Sequence, residues 1–228
     1  WNKQLGYISL LRRLQNDEVL AVSYEYTFNG RRYQVGELSE DYQGRQDDDL
    51  ILLKLLRPTK IDTKIPTWDL MMKNIYYLNA YRLSEEGFTL RINYRDDLTN
   101  IDNPSLNEGL ETKDIPLVRL LHLDELNRNG DRQRDGNFDF INGVTVDQEN
   151  GNIIFPVLEP FGRTLESHFQ ANEQTLINRY VFDTLYRTTR IAAQQVASKN
   201  KFFILGSFQS GSASEIRLEG INIPEESV

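Results

Sequence analysis

The sequence predicts an α+β fold built from antiparallel β-hairpins and sheets with about three interspersed helices. Three observations lead there. Apolar residues recur at every second position on either side of Asn-Gly turns, a few segments carry apolar stripes at helical spacing, and no regular strand-helix-strand alternation of the kind a parallel sheet requires is present.

The first hairpin lies in "VLAVSYEYTFNGRRYQVGEL". Leu20, Val22, Tyr24, Tyr26 and Phe28 share one face, and Asn29-Gly30 supplies the positive φ that a two-residue turn needs. In "TWDLMMKNIYYL" the residues Trp68, Met71, Met72, Ile75 and Tyr76 form a helical stripe after Pro66, with Thr67 as its cap. "GFTLRINYRD" returns to period two, with Phe88, Leu90, Ile92 and Tyr94 opposite Thr89, Arg91, Asn93 and Arg95. "DIPLVRLLHLDEL" predicts a second helix, with Asp114 as cap, Pro116 in the first turn and Leu117, Leu120 and Leu121 on its apolar face. A further hairpin, "VTVDQENGNIIFPV", turns at Asn150-Gly151. The longest helix is expected from about Tyr180 to Ser198, carrying Leu185, Ala192, Ala193 and Val196, and the apolar strand "KFFILGSF" follows it. Ile216 and Leu218 then alternate in phase, and Gly220 shifts Ile221 and Ile223 to the other parity, as a bulge does. The polar stretches Asp41 to Leu50 and Asn100 to Asp114 read as surface loops.

Composition narrows the function classes. With 34 acidic against 26 basic residues the formal net charge is -8. That argues against nucleic acid as a partner, because phosphate binding needs a concentrated basic surface. There is no cysteine, so disulfides, thiolate zinc sites and thiol nucleophiles are excluded, and His122 and His168 are the only imidazoles. No run approaches the roughly 20 apolar residues of a membrane-spanning helix. The chain opens at Trp1 with no basic-then-apolar leader and reads as a piece of something larger.

The chemically pointed stretch is "NRNGDRQRDGNFDFINGV", with Asn127, Asn129, Asp131, Asp135, Asn137 and Asp139 at alternate or near-alternate positions. Oxygen ligands at such spacing can wrap a calcium ion. Counted from Asn127, residues 129, 131 and 135 fall on the third, fifth and ninth positions of an EF-hand loop, yet Arg132 replaces the sixth-position glycine and Phe138 the twelfth-position glutamate. A register from Asp135 takes in Asn137, Asp139 and Asn142 and is equally non-standard. Arg128, Arg132 and Arg134 lower the local anionic field. The reading these departures favour is a turn ordered by side-chain-to-backbone bonds.

Enzyme signatures are sparse: no GxSxG, HExxH or Walker loop occurs, and the two histidines stand 46 positions apart, outside any motif. Asp96-Asp97 and Glu85-Glu86 are formal glycosidase pairs, but among 34 acidic residues such pairs arise by chance. Aromatics at strand periodicity indicate a core face before a sugar cleft. The alternation from Val19 to Phe28 is also what a transmembrane β-strand shows, although so few strands cannot close a barrel.

Five strings, "DEVLAVSYEYTFNGRRYQVGELS", "PTWDLMMKNIYYL", "VRLLHLDELNRNGD", "DGNFDFINGVTVDQENGNIIFPVLEPFG" and "SASEIRLEGINIPEESV", together resemble, in order and over nearly the whole chain, the SprA/Sov family of the type IX secretion system. The resemblance implies a region of a very long outer-membrane protein of Bacteroidetes-type bacteria, which exports secreted cargo and gliding-motility adhesins through a barrel of roughly 36 strands. The 228 residues would be an insert between barrel strands. The partners so implied are the remainder of the barrel, an accessory outer-membrane barrel protein, a periplasmic plug and the cargo. At two positions the chain departs from the family pattern: His122 stands where a small residue, often glycine, is expected before Leu-Asp, and Glu226 stands where glycine precedes Ser-Val.

The expectation is therefore a single fragment, 1–228, with a hairpin region 1–49, a mixed α/β insert 50–165 and a helix followed by strands over 166–228. Its function would be structural and gating, without catalytic residues, at the outer membrane and favouring the cell surface, where the longer loops of barrels lie. The competing reading is a calcium-stabilised adhesion or carbohydrate-binding module.

Overall fold

The computed structural model describes residues 6–8, 10, 12, 14–46, 48–127, 129–210 and 212–218, with backbone alone from residue 209 onward. It is a small α+β fold with antiparallel sheets and few helices. The backbone divides into two units, Ile8–Met71 and Met72–Ser227.

In the Ile8–Met71 unit, strand β1 (Leu20–Val22) pairs with β4 (Lys54–Arg57), and β2 (Tyr24–Phe28) pairs with β3 (Arg31–Val35). The β2–β3 hairpin closes at Asn29 and Gly30, both left-handed at φ 49° and 74°, the backbone that matches the right-handed twist of the flanking strands. Cross-strand pairs Tyr24↔Val35, Tyr26↔Tyr33 and Phe28↔Arg31 share one face. The Tyr26 and Tyr33 rings stack at 5.1 Å. Glu37 ties the β3 exit to the β4 approach: its N–H donates to the Leu52 carbonyl at 2.7 Å, and its carboxylate accepts from the Leu52 N–H at 2.8 Å.

The predicted helix over "TWDLMMKNIYYL" is not formed. A single 3-10 turn spans Pro66–Leu70, Met71 is extended, and Ile75–Tyr77 is strand β5. The physical reason is tertiary: Ile75 and Tyr76 are β-branched and aromatic residues that pair with Ile154 and Ile153, and this ladder outweighs the helical spacing.

In the Met72–Ser227 unit, β6 (Thr89–Arg95), β7 (Asp102–Asn103), β10 (Phe202–Ser210) and β11 (Ser212–Leu218) form one antiparallel sheet in the order β11-β10-β6-β7. A second sheet orders β5-β9-β8, where β8 is Val146–Asp147 and β9 is Asn152–Ile154. Leu90, Ile92 and Tyr94 of β6 are buried, as their alternation predicts, together with Phe202 and Ile204 of β10. At the β8–β9 turn Gly151 has φ 67°, and a Cβ there would run into the Ala80 carbonyl. The core closes over these sheets with Tyr76, Phe155, Phe161, Leu165, Phe182 and Tyr186.

The other two helices are also shorter than their sequence spacing predicts. Helix α1 (Leu117–Leu120) is a single turn; Pro116 rather than Asp114 precedes it, and Asp114 is itself left-handed at φ 60°. His122, at φ 61°, ends the turn. The long helix expected from Tyr180 to Ser198 is instead α2 (Gln174–Tyr180), α3 (Thr184–Arg187) and α4 (Arg190–Gln194). Thr188 and Thr189 break it in extended conformation, and the Thr189 hydroxyl caps α4 by accepting from the Ala192 N–H. Two adjacent β-branched residues that compete for backbone donors favour caps over helix interiors. The stretch from Asn100 to Asp114 is more than a surface loop, because it holds β7 and buries Leu106 and Thr112 completely. The shift of parity expected at Gly220 lies outside the described residues, as does Glu226.

Candidate functional site

The Asn/Asp stretch leaves the α1 turn through Leu123, Asp124 and Glu125 and spends most of its oxygens on backbone amides. The Asn127 side-chain oxygen accepts from the N–H groups of Asn129 and Asp131 at 2.9 and 3.0 Å, and its amide donates to Asp131 at 3.2 Å. Asp135 accepts from the Asn137 N–H at 3.0 Å. Asp139 accepts from the N–H groups of Glu125 and Leu126 at 2.6 and 3.0 Å. Burial pushes the Asp139 carboxyl up, the two N–H bonds pull it back in part, and the charges of Asp124 and Asp135 push it further up. Asn129, Asp131, Asp135 and Asn137 are exposed, while Asn127 and Asp139 are half-buried. These are the bonds of turns, in which each side chain satisfies amides two to four residues on or across the loop. Among the described residues no group of three or more His, Asp or Glu side chains is placed to hold a metal ion.

Two residues that organise this loop escape the sequence pattern. Asp124 is fully buried and accepts from the Asp135 N–H at 2.9 Å, the Gly136 N–H at 3.1 Å and the Arg119 Nε at 3.1 Å. Thr145, also buried, accepts from the Ile141 N–H at 2.9 Å and donates to the Asp139 carbonyl. The signal for Asp124 was a carboxylate between Leu123 and Leu126 ahead of a run of unpaired amides; its partners lie 11 and 12 residues away, beyond any local motif.

Beside this loop the two histidines meet. Their rings are 6.2 Å apart on a groove of about 360 Å³ that Glu111, Arg119, Leu120 and Arg134 also line. His122 follows the α1 turn and its Nδ1 bonds Glu125 at 3.0 Å. His168 follows the wide turn Pro160–Thr164, and its Nε2 bonds the Leu120 carbonyl at 2.9 Å. Arg134 holds Glu125 by a two-pronged ion pair at 2.8 Å. Partial burial pushes Glu125 up, but the bonds from Arg134 and His122 outweigh it and hold the carboxyl below its ordinary value.

The two formal acidic pairs are placed as follows. Asp96 caps a turn, accepting from the N–H groups of Leu98 and Thr99, both at 2.9 Å, and those bonds lower its pKa. Asp97 is ion-paired with Lys201. Glu85 and Glu86 are exposed.

A scan of the chain against protein-family models finds no match, and no curated protein matches it.

Proposed function

We propose that the chain is a non-enzymatic structural and gating region of a type IX secretion translocon, an insert in a larger outer-membrane β-barrel protein that takes part in protein export and gliding motility. Five strings running in order from Asp17 to Val228 support the family. The observation that carries a role in assembly is the β2–β3 hairpin. Its two strands pair only with each other among the described residues, and Tyr24, Tyr26, Phe28 and Tyr33 on its one apolar face are all exposed.

An isolated two-stranded hairpin is marginal in water. Open edges beside apolar side chains are templates for pairing with another chain. The hairpin therefore offers edge and face to the remainder of the barrel, to the accessory barrel protein, to the periplasmic plug or to cargo in transit. The region sits at the cell surface in this reading.

The test uses the full-length protein in its native cell, with an epitope inserted between Asp48 and Asp49 in an exposed turn. The epitope is expected in the outer-membrane fraction and accessible to protease on intact cells, and deletion of residues 20–35 is expected to abolish cargo export. A cytosolic epitope, or export that survives the deletion, overturns the translocon role. Protection from protease in intact cells overturns the surface placement alone.

A further inference from the structure

We propose that His122 and His168 form a two-imidazole binding site for a borderline divalent transition-metal ion, Cu2+, Ni2+ or Zn2+. The chain has only two histidines, 46 positions apart in sequence, and the fold brings their rings to 6.2 Å on the lining of one groove. Neither belongs to the Asn/Asp loop weighed for calcium, and the proposal does not rest on the translocon reading.

The hydrogen bonds fix which nitrogens are left to bind a metal. A carbonyl oxygen only accepts, so His168 Nε2 carries the proton it gives to Leu120, and its Nδ1 keeps the lone pair. Glu125 likewise accepts from His122 Nδ1, which leaves the lone pair on Nε2. One ring nitrogen donating to a carboxylate or a carbonyl while the other is left to bind is the arrangement that orients metal-ligating histidines.

The spacing agrees. A metal about 2.0–2.1 Å from an imidazole nitrogen lies roughly 3.2 Å from the ring centre, so two rings on one ion have centres roughly 5.2 Å apart at a tetrahedral angle and roughly 6.4 Å apart when opposed. The observed 6.2 Å lies near the opposed end of that range, so the two rings would flank the ion at a wide angle. Water would complete the coordination, since no third side-chain ligand stands with the two imidazoles among the described residues.

Charge does not oppose a cation. The two guanidiniums on the groove, Arg119 and Arg134, are each bonded to a carboxylate, Asp124 and Glu125, and Glu111 adds a third carboxylate with no third Lys or Arg among the lining residues. His122 takes the left-handed backbone, φ 61°, that ends the α1 turn, a conformation histidine enters more readily than most residues.

Tag-free protein is titrated calorimetrically with Ni2+ and Zn2+ at neutral pH, and Cu2+ binding is followed by electron paramagnetic resonance. Two variants accompany it. His122→Asn keeps a residue that tolerates the left-handed backbone and an N–H for Glu125. His168→Gln keeps an N–H for Leu120. One ion per chain is expected, binding more weakly on acidification because metal displaces a proton from imidazole. Each variant is expected to weaken binding by at least about tenfold. Copper hyperfine structure should report two imidazole nitrogens in the parent chain and one in each variant. No binding at millimolar metal, undiminished affinity in the variants, or fewer than two imidazole nitrogens in the parent spectrum overturns the site. The parent spectrum decides the matter even where a variant does not fold.

Discussion

Asp124→Ala is expected to lower the unfolding free energy by about 2 to 4 kcal/mol. The carboxylate is fully buried and accepts two backbone N–H bonds, from Asp135 and Gly136, and one from Arg119. Hydrogen bonds to a charged group contribute about 1.5–3 kcal/mol each, so the two amides alone set a range of about 3–6. Two features lower it. Asp135 and Gly136 are exposed, so their freed amides recover water, and the Arg119 side chain, 33% exposed, is rehydrated rather than stranded. They bring the loss down to about 2–4 kcal/mol, a large share of the roughly 5–15 kcal/mol typical of a folded domain.

The same reasoning ranks the loop. Asp139→Ala, which loses two amide bonds from a half-buried carboxylate that burial already penalises, is expected to cost about 1–2 kcal/mol. Asp131→Ala, which loses one contact with the Asn127 amide on the surface, should stay within about 0.5 kcal/mol. Urea unfolding followed by circular dichroism, with calcium and with chelator, measures all three. Amide hydrogen exchange at Asp135 and Gly136 reports the Asp124 bonds directly. A calcium loop gives a different pattern: saturation at about 100 times the dissociation constant adds about 2.7 kcal/mol, and alanine at Asp131 or Asp135 removes that gain. Calcium-dependent stability with Asp131 as costly as Asp124 would refute the turn reading.

Two further outcomes follow from particular residues. Gly151→Ala meets the Ala80 carbonyl and a positive φ together and is expected to cost about 2–5 kcal/mol, whereas Gly30→Ala, with open space around it, costs the backbone term of about 1–2 alone; equal losses in thermal unfolding would contradict the contact. Glu18 is held at about 2 by the Arg12 guanidinium and the Gln15 N–H, so the stabilisation it gives its loop is present above the ordinary glutamate value of 4.5 and lost as pH falls toward about 2. Carbon-13 NMR titration of the Glu18 carboxyl reads this midpoint, which should return toward 4.5 in Arg12→Ala and would count against the pair if it were already there in the parent chain.

What was legible in the sequence is what local chemistry decides. Asn29-Gly30 turns where it should with positive φ at both positions, and Asn150-Gly151 does so with positive φ at the glycine, because these residues enter that backbone region at little cost. The buried face of β6 follows from strict alternation. The helices failed because helical spacing of apolar residues says nothing about partners. Ile75 and Tyr76 found a strand at Ile153 and Ile154, and the expected long helix is cut first at Val181 and again at the Thr188-Thr189 pair. The candidate loop was legible as polar turn chemistry, but its organiser was not. Asp124 acts through amides 11 and 12 residues on, and the two histidines meet across 46 positions. Distance along the chain separates these groups, so no spacing rule points to them.

The same physics bears on the Ile8–Met71 unit. Among the described residues Trp68 is its only buried apolar side chain, while Phe28 is 60% exposed, Leu50 88% and Leu52 71%. Burying a large apolar side chain is worth about 1.5–3 kcal/mol, and fixing the backbone of each residue costs about 1–2 kcal/mol. A unit that leaves its tyrosines, phenylalanine and leucines in water forgoes the main term that offsets that entropy, and it has no cysteine to staple the chain instead. Such a segment gains from any surface that covers its strands, and an alternating aromatic hairpin with two open edges is suited to being covered by further strands.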